Sequence, residues 1–348
     1  MLKTLLASLP LSRFEIDRDH ASRGLPTLFE TLWADENTRV LPLWNGQALL
    51  GSGAASEGDW GAPLASPGAA PGAAPGAAHH AVADAEHPVL AFLPPSLFAD
   101  VELQVYLGLS LATDAPEPVG TRLVAVSLSD EAAHTLEPDE ANWVNLRNVA
   151  SSLSDRDAGA FTEALGIMNW HRSHTHCPRC GAATVVEMGG WVRRCPVQDI
   201  EIFPRTDPAV IVGIVDDLDR ILLGSNALWE NNRYSLLAGF VEPGESLEAA
   251  TIREVFEESG VRIVDPEYLG SQPWPFPASL MCGFLAHVDP ATAENALLPD
   301  GEEILDVRWF SRQDLTDAAT APLLPGSASI ARSIIEHWYG GPIPTATW

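Results

Sequence analysis

The stretch from Gly239 to Val261 constrains this chain more than any other part of it. Within it, SLEAATIREVFEESG (246–260) has the marks of a helix. Ser246 is placed to accept from first-turn amides, and Gly260 can take the left-handed conformation that ends a helix. At about 100° per residue, Ile252, Val255, Phe256 and Ser259 fall on one side and Glu254, Glu257 and Glu258 on the other. The first set is expected to pack. The second set repels itself and destabilises an isolated helix. Such a face is either a plain solvated surface or a site for a compensating cation. A hard divalent ion with oxygen ligands fits best, so Mg²⁺ or Mn²⁺ is expected there. An ion so held can bridge phosphate oxygens and activate water, which points to cleavage of a diphosphate bond.

The 348 residues suit two or three domains, and 46% hydrophobic with 19% charged residues describes a globular chain with a sizeable core. No apolar run reaches the roughly 18 residues of a membrane helix. The opening MLKTLLASLPLSRFEID has one Lys and no small-residue cleavage site, so no signal peptide is expected and a cytoplasmic location follows. The formal net charge of −27 favours solubility and argues against gripping the phosphate backbone of a nucleic acid.

Three regions are expected. Residues 1–155 read as a β-rich N-terminal domain with strands at 39–50, 103–109 and 121–129. A Gly/Ala/Pro-rich insertion at 52–86, with PGAA repeated between Pro67 and Ala78, is expected to be a disordered loop. Residues 156–204 hold most of a helix (155–174) and a cysteine cluster. Residues 205–348 read as a catalytic domain of class α/β (α+β). Its strands fall at 208–217, 220–225, 233–239, 261–265, 281–288 and 304–310, and its helices at 246–260 and 327–340.

Gly239, Glu245, Arg253-Glu254-Val255, Glu257-Glu258 and Gly260-Val261 fill every fixed position of the Nudix box. The chain therefore resembles the Nudix hydrolase superfamily, which implies an α/β/α sandwich. Gly239 is expected to allow a tight turn after its strand, and Gly244 a second bend. Glu245 is expected to hold Arg253, and Arg253 to orient the glutamates. The resemblance implies Mg²⁺ or Mn²⁺ on Glu254, Glu257, Glu258, the carbonyl of Ala238 and, from outside the box, Glu303. A metal-bound glutamate is then the base for the attacking water.

A second motif bears on the substrate. In Ser271-Gln272-Pro273-Trp274-Pro275-Phe276-Pro277-Ala278-Ser279, three prolines alternate with two aromatics. That spacing reads as a stiff loop, either a rigid connector or a platform for a flat ring. It matches the SQPWPFPxS signature of the NADH pyrophosphatase branch, where it forms part of the nucleotide pocket. By the same resemblance Phe240 and Trp274 sandwich nicotinamide, the Trp being available from a partner subunit. Phe203, before Pro204, replaces a pocket Tyr, Ala331 lines the substrate site, and Arg147 in VNLRNV contacts substrate.

Of the four cysteines, Cys177, Cys180 and Cys195 lie within 19 residues. In a cytosolic chain such a cluster suggests metal before disulfide. It resembles the zinc ribbon that precedes the Nudix domain in this branch, with Gln198 where a fourth Cys belongs. Zn²⁺ can then be held with Asp199 or His176 as substitute, or be lost. Cys282, in a predicted strand, is expected in the core. His171, His174 and His176 read as exposed residues, one of them available as a ligand.

These readings converge on hydrolysis of NAD(H) to AMP and nicotinamide mononucleotide, extending to removal of NAD caps from RNA 5′ ends. The alternatives are another dinucleotide (ADP-ribose or a diadenosine polyphosphate) and an inactive nucleotide-sensing module. The resemblance implies a homodimer, and no membrane partner is expected.

Overall fold

Two mixed sheets and a small antiparallel one carry the chain in the computed structural model, which describes residues 9–51, 87–99, 101–229, 232–292, 297–317 and 321–344. The expected insertion at 52–86 lies outside the described residues. The N-terminal sheet has the order β1-β4-β5-β2-β3-β6. Its strands are β1 (Ile16–Asp17), β2 (Arg39–Trp44), β3 (Gln47–Leu49), β4 (Leu103–Ser110), β5 (Arg122–Ser127) and β6 (Trp143–Asn145). The run expected as one strand at 39–50 is a hairpin. Asn45 and Gly46 both take positive φ, 51° and 79°, which sets a tight turn matching the twist of paired strands.

The apolar continuity of β2 reflects burial on both faces. On one face Leu41, Leu43 and Val105 pack with Phe161 and Leu165. On the other, Val40 and Tyr106 pack with Leu28 and Leu32. The helices α1 (Leu28–Ala34), α2 (Asp130–Leu136), α3 (Leu146–Val149) and α4 (Asp155–Ser173) complete this half. The Ser154 hydroxyl caps α4 by accepting from the Asp157 amide.

The second sheet runs β13-β14-β10-β11-β15, with β12 paired beside β11 on the same edge of β10. Its strands are β10 (Asp207–Val215), β11 (Ile221–Asn226), β12 (Leu237–Phe240), β13 (Ile263–Trp274), β14 (Ser279–Val288) and β15 (Ile304–Phe310). β10 and β14 are parallel and the other pairs antiparallel. Helix α5 (Leu247–Ser259) covers one face through Ala250 and Val255 against Val210, Val212 and Phe284. Helix α6 (Ile330–Tyr339) covers the other through Ile330, Ile334 and Ile335. The result is the expected α/β/α sandwich. Among the described residues, no helix is long and apolar enough to cross a membrane.

Two expectations are corrected here. The strand expected at 261–265 continues to Trp274, so SQPW is not a loop but the end of an edge strand. Pro266 and Pro273 fit because an edge strand needs no ladder donor on its open side. The α5 wheel is also rotated. Ile252 and Phe256 are exposed, whereas Thr251, Val255, Glu258 and Ser259 are buried. The helix therefore turns Glu258 toward the sheet instead of away from it.

Candidate active site and zinc ribbon

The Ser246 hydroxyl caps α5 by accepting from the Ala249 amide, and Gly260, at φ 72°, closes it. That fixes where the carboxylates stand. Arg253 donates from Nε and Nη2 to both oxygens of Glu245, at 2.7 and 2.8 Å. Its Nη1 donates to Glu254 and Glu257, each at 2.9 Å, and its Nη2 also reaches the carbonyl of Phe240 at 3.0 Å. One guanidinium thus ties the loop, the strand end and two helix carboxylates together, as the planar fork of Arg allows and Lys does not. The bonds from Arg253 hold the Glu245 carboxyl well below its usual range, at about 2.

Gly239 does not form a turn. It lies within β12, paired with Val210. A Cβ built at that position would fall on the Glu254 carboxylate, so the glycine is required by the close approach of a side chain. The second bend is real, with Gly244 at φ 99°.

Glu258 is 5% exposed, and its Oε2 is buried with no hydrogen-bond partner. Burial first, then Glu254, Glu303 and Asp300, push its pKa up to about 8, against a backbone hydrogen bond from Ala238. Burial, opposed by Arg253, also raises Glu254. A buried orphan oxygen amid like charges suits a hard divalent cation, although among the described residues no three of these carboxylates bring oxygens within 4.8 Å of one another. Asp300 escaped the sequence reading. Its carboxylate accepts from the amides of Glu302, Glu303 and Ile304, and so shapes the turn that presents Glu303.

The aromatic motif is a hairpin end clasped by α4. Asn169 Nδ2 donates to the carbonyls of Pro275 and Pro277 at 2.9 and 3.2 Å, a long-range contact with no local sequence signal. Trp274 and Phe276 meet edge-on at 5.0 Å, and the Arg147 guanidinium lies 3.9 Å from the Phe276 ring centre and 5.0 Å from that of Trp274. Arg147 is thus brought to the motif. A cavity of about 620 Å³ borders this hairpin, lined among others by Pro273, Trp274, Pro275, Ala278 and Ser279. None of Glu254, Glu257, Glu258 and Phe240 lines it. Phe203 and Phe240 present exposed rings, 62% and 59% accessible.

Two residues expected at the substrate are buried in this chain. Gln272 is fully buried; its amide donates to the Ala328 carbonyl at 3.1 Å and accepts from the Ile330 amide at 2.7 Å. It fixes the start of α6. Ala331 is 4% exposed in the core beneath α6.

In the ribbon, β7 (Val185–Glu187), β8 (Val192–Cys195) and β9 (Ile200–Ile202) form the small sheet. The thiols of Cys177, Cys180 and Cys195 lie within 4.8 Å of one another, the only such group of three or more candidate ligands among the described residues. Three converging thiols with no disulfide between them suit Zn²⁺. Asp199, expected as a substitute ligand, lies outside this thiol group. At φ 52° it turns its carboxylate to Arg194 Nη1, 3.0 Å away. His176 is outside the thiol group and its Nδ1 meets the Thr175 hydroxyl at 2.8 Å. His171, expected exposed, is buried: Nε2 donates to the Gly190 carbonyl at 2.7 Å and Nδ1 accepts from Arg193 at 2.8 Å. Cys282 is buried in the core, as expected.

Three protein-family models match parts of the chain. The NUDIX domain family matches residues 205–333, the "NADH pyrophosphatase-like rudimentary NUDIX domain" family residues 37–170, and the "NADH pyrophosphatase zinc ribbon domain" family residues 172–198. The fold and the box define a hydrolase of the Nudix class, and the chain belongs to the Nudix family. Within that class it is 43% identical over 213 residues to the NAD-capped RNA hydrolase NudC of Mycobacterium bovis, covering 58% of this chain and 67% of the relative. It is 38% identical over 200 residues to the human NAD-capped RNA hydrolase NUDT12, covering 53% of this chain and 42% of the relative. A solved Nudix hydrolase from Nitrosomonas europaea is similar at 23% identity over 50% of this chain and 96% of its own, with a TM-score of 0.38.

Proposed function

We propose that this protein hydrolyses the diphosphate bond of NAD(H), giving AMP and nicotinamide mononucleotide, and removes NAD caps from RNA 5′ ends. The observation that carries the chemistry is the buried, unpartnered Oε2 of Glu258 beside carboxylates that Arg253 holds in place. The names of the relatives and the Trp274 hairpin support the substrate.

Glu254, Glu257, Glu258 and Glu303, with the carbonyl of Ala238, would hold Mg²⁺ or Mn²⁺. When bound, such an ion neutralises charge on the diphosphate and raises the acidity of water. The oxygen of a water molecule bonds to one phosphorus as the bridging P–O bond breaks, and a glutamate of α5 takes the water's proton. Arg253 acts as a positioning residue. Phe203, Phe240 and Trp274 offer faces for the two bases, and Arg147 lies against the Trp274–Phe276 pair.

A homodimer belongs to the same reading. The Trp274 cavity and the carboxylate cluster are lined by different residues of one chain. A second copy would bring Trp274 of one protomer to Phe240 of the other. The proposed location is the cytoplasm, where NAD(H) and nascent RNA are found.

The test is product analysis on NADH, NAD⁺, ADP-ribose, diadenosine polyphosphate and NAD-capped RNA with Mg²⁺ or Mn²⁺. AMP and nicotinamide mononucleotide from the nicotinamide substrates are expected. Preferential turnover of ADP-ribose or a diadenosine polyphosphate would replace this substrate assignment, and binding without turnover would make the protein a nucleotide sensor.

A further inference from the structure

Gln198 stands where a four-thiol ribbon has its last cysteine, and its exposed side chain meets the Cys177 thiol. Its Oε1 lies 4.0 Å from Cys177 Sγ, while Cys180 Sγ and Cys195 Sγ are 3.5 Å apart. Ligands at about 2.3 Å around a tetrahedral zinc stand about 3.8 Å from one another. The Gln198–Cys177 and Cys180–Cys195 pairs are each near that spacing, and the three thiols lie within 4.8 Å of one another. The two other candidates, Asp199 and His176, do not bring a ligand atom into the thiol group. Cys282, the remaining cysteine, sits in the core of the sandwich.

We infer that the ribbon holds zinc through Cys177, Cys180 and Cys195, with the side-chain carbonyl oxygen of Gln198 as a fourth, replaceable donor. A neutral amide oxygen is a far weaker zinc ligand than a thiolate. The site is therefore structural in its three sulfurs and open at its fourth corner, where a water, hydroxide or small external thiol can displace Gln198. Gln198 is exposed, so that corner is reachable from solvent.

The surrounding protein is built to tolerate this. Arg194 ties β7, β8 and the turn before β9 by donating to Glu187 at 2.8 Å, Asp199 at 3.0 Å and Glu201 at 2.8 Å. Arg193 bonds the Thr184 hydroxyl at 2.7 Å and anchors the ribbon to α4 through His171. These bonds carry no metal. Zinc can consequently exchange without the ribbon coming apart, unlike a small finger whose folding energy is the metal's.

X-ray absorption on the full-length zinc-loaded protein tests the shell directly: three sulfurs and one oxygen or nitrogen are expected. Chelator competition is expected to show zinc leaving at least tenfold more readily from the wild type than from Gln198→Cys, whose spectrum should change to four sulfurs. In the cobalt-substituted protein, Gln198→Leu is expected to alter the visible d–d bands and weaken binding severalfold. Because Gln198 is exposed, neither change should affect folding, which far-ultraviolet circular dichroism checks. Four sulfurs in the wild type would overturn the inference. So would identical spectra and affinities for wild type and Gln198→Leu, or less than a tenth of an equivalent of zinc after reconstitution.

Discussion

Gly239 and Glu254 compete for one volume: the Glu254 carboxylate occupies the position a Cβ on residue 239 would take. The glycine is thus part of the active-site geometry although it touches no substrate. Gly239→Ala must push the carboxylate away from β12, and Arg253, bonded to Glu254, moves with it. A displacement of about 1 Å is enough for a loss of about 100-fold in kcat. Steady-state kinetics on NADH should show that loss with an unchanged thermal midpoint. A variant with wild-type kcat would mean that the Glu254 position is not critical.

Glu258→Gln removes the charge while keeping the volume of a buried side chain. The rate on NADH should fall below about a tenth of wild type at saturating Mg²⁺. Taking out a buried carboxylate pressed by Glu254, Glu303 and Asp300 relieves repulsion, so metal-free stability should rise. A structural glutamate would instead lose stability along with activity, and denaturant unfolding without metal separates the two.

The box and the bounds of its helix were legible in the sequence because spacing and the caps Ser246 and Gly260 specify them. What was not legible depended on partners distant in the chain. The rotation of α5 that buries Glu258 follows from packing against β10 and β14, which a wheel does not contain. Gly239 was read by the usual reason for a glycine, since the carboxylate that needs its space lies on a separate element. Gln272 was read with its motif, and only the fold shows its amide bound to the start of α6. The hairpin at Asn45-Gly46, by contrast, carried a local turn signal that the long apolar run obscured.

His171 gives a pH prediction. Burial first, and Arg193 as well, hold its pKa down at about 4, against the hydrogen bond to Gly190. The folded protein therefore keeps this ring neutral while the unfolded chain, with an ordinary histidine, takes up a proton below about 6.5. Its contribution is complete above about 6.5 and is lost progressively as pH falls from there toward 4, at up to about 1.4 kcal/mol per pH unit. Urea unfolding at pH 7, 6 and 5 should show this decline, and His171→Asn should flatten it. An unchanged slope in the variant would assign the acid sensitivity to other groups.

The composite site can be tested by mixing two inactive proteins. If Trp274 serves the partner's cluster, Glu258→Gln and Trp274→Ala each inactivate both sites of their own homodimers. In a mixed dimer both lesions fall on one site, and the other combines an intact Glu258 with an intact Trp274. Random exchange makes about half the dimers mixed, each with one working site of two, so about a quarter of wild-type activity should return. If Trp274 serves its own chain, every site in every dimer carries one lesion and mixing restores nothing. Activity measured after co-refolding the two variants, with dimer content followed by light scattering, decides between these arrangements.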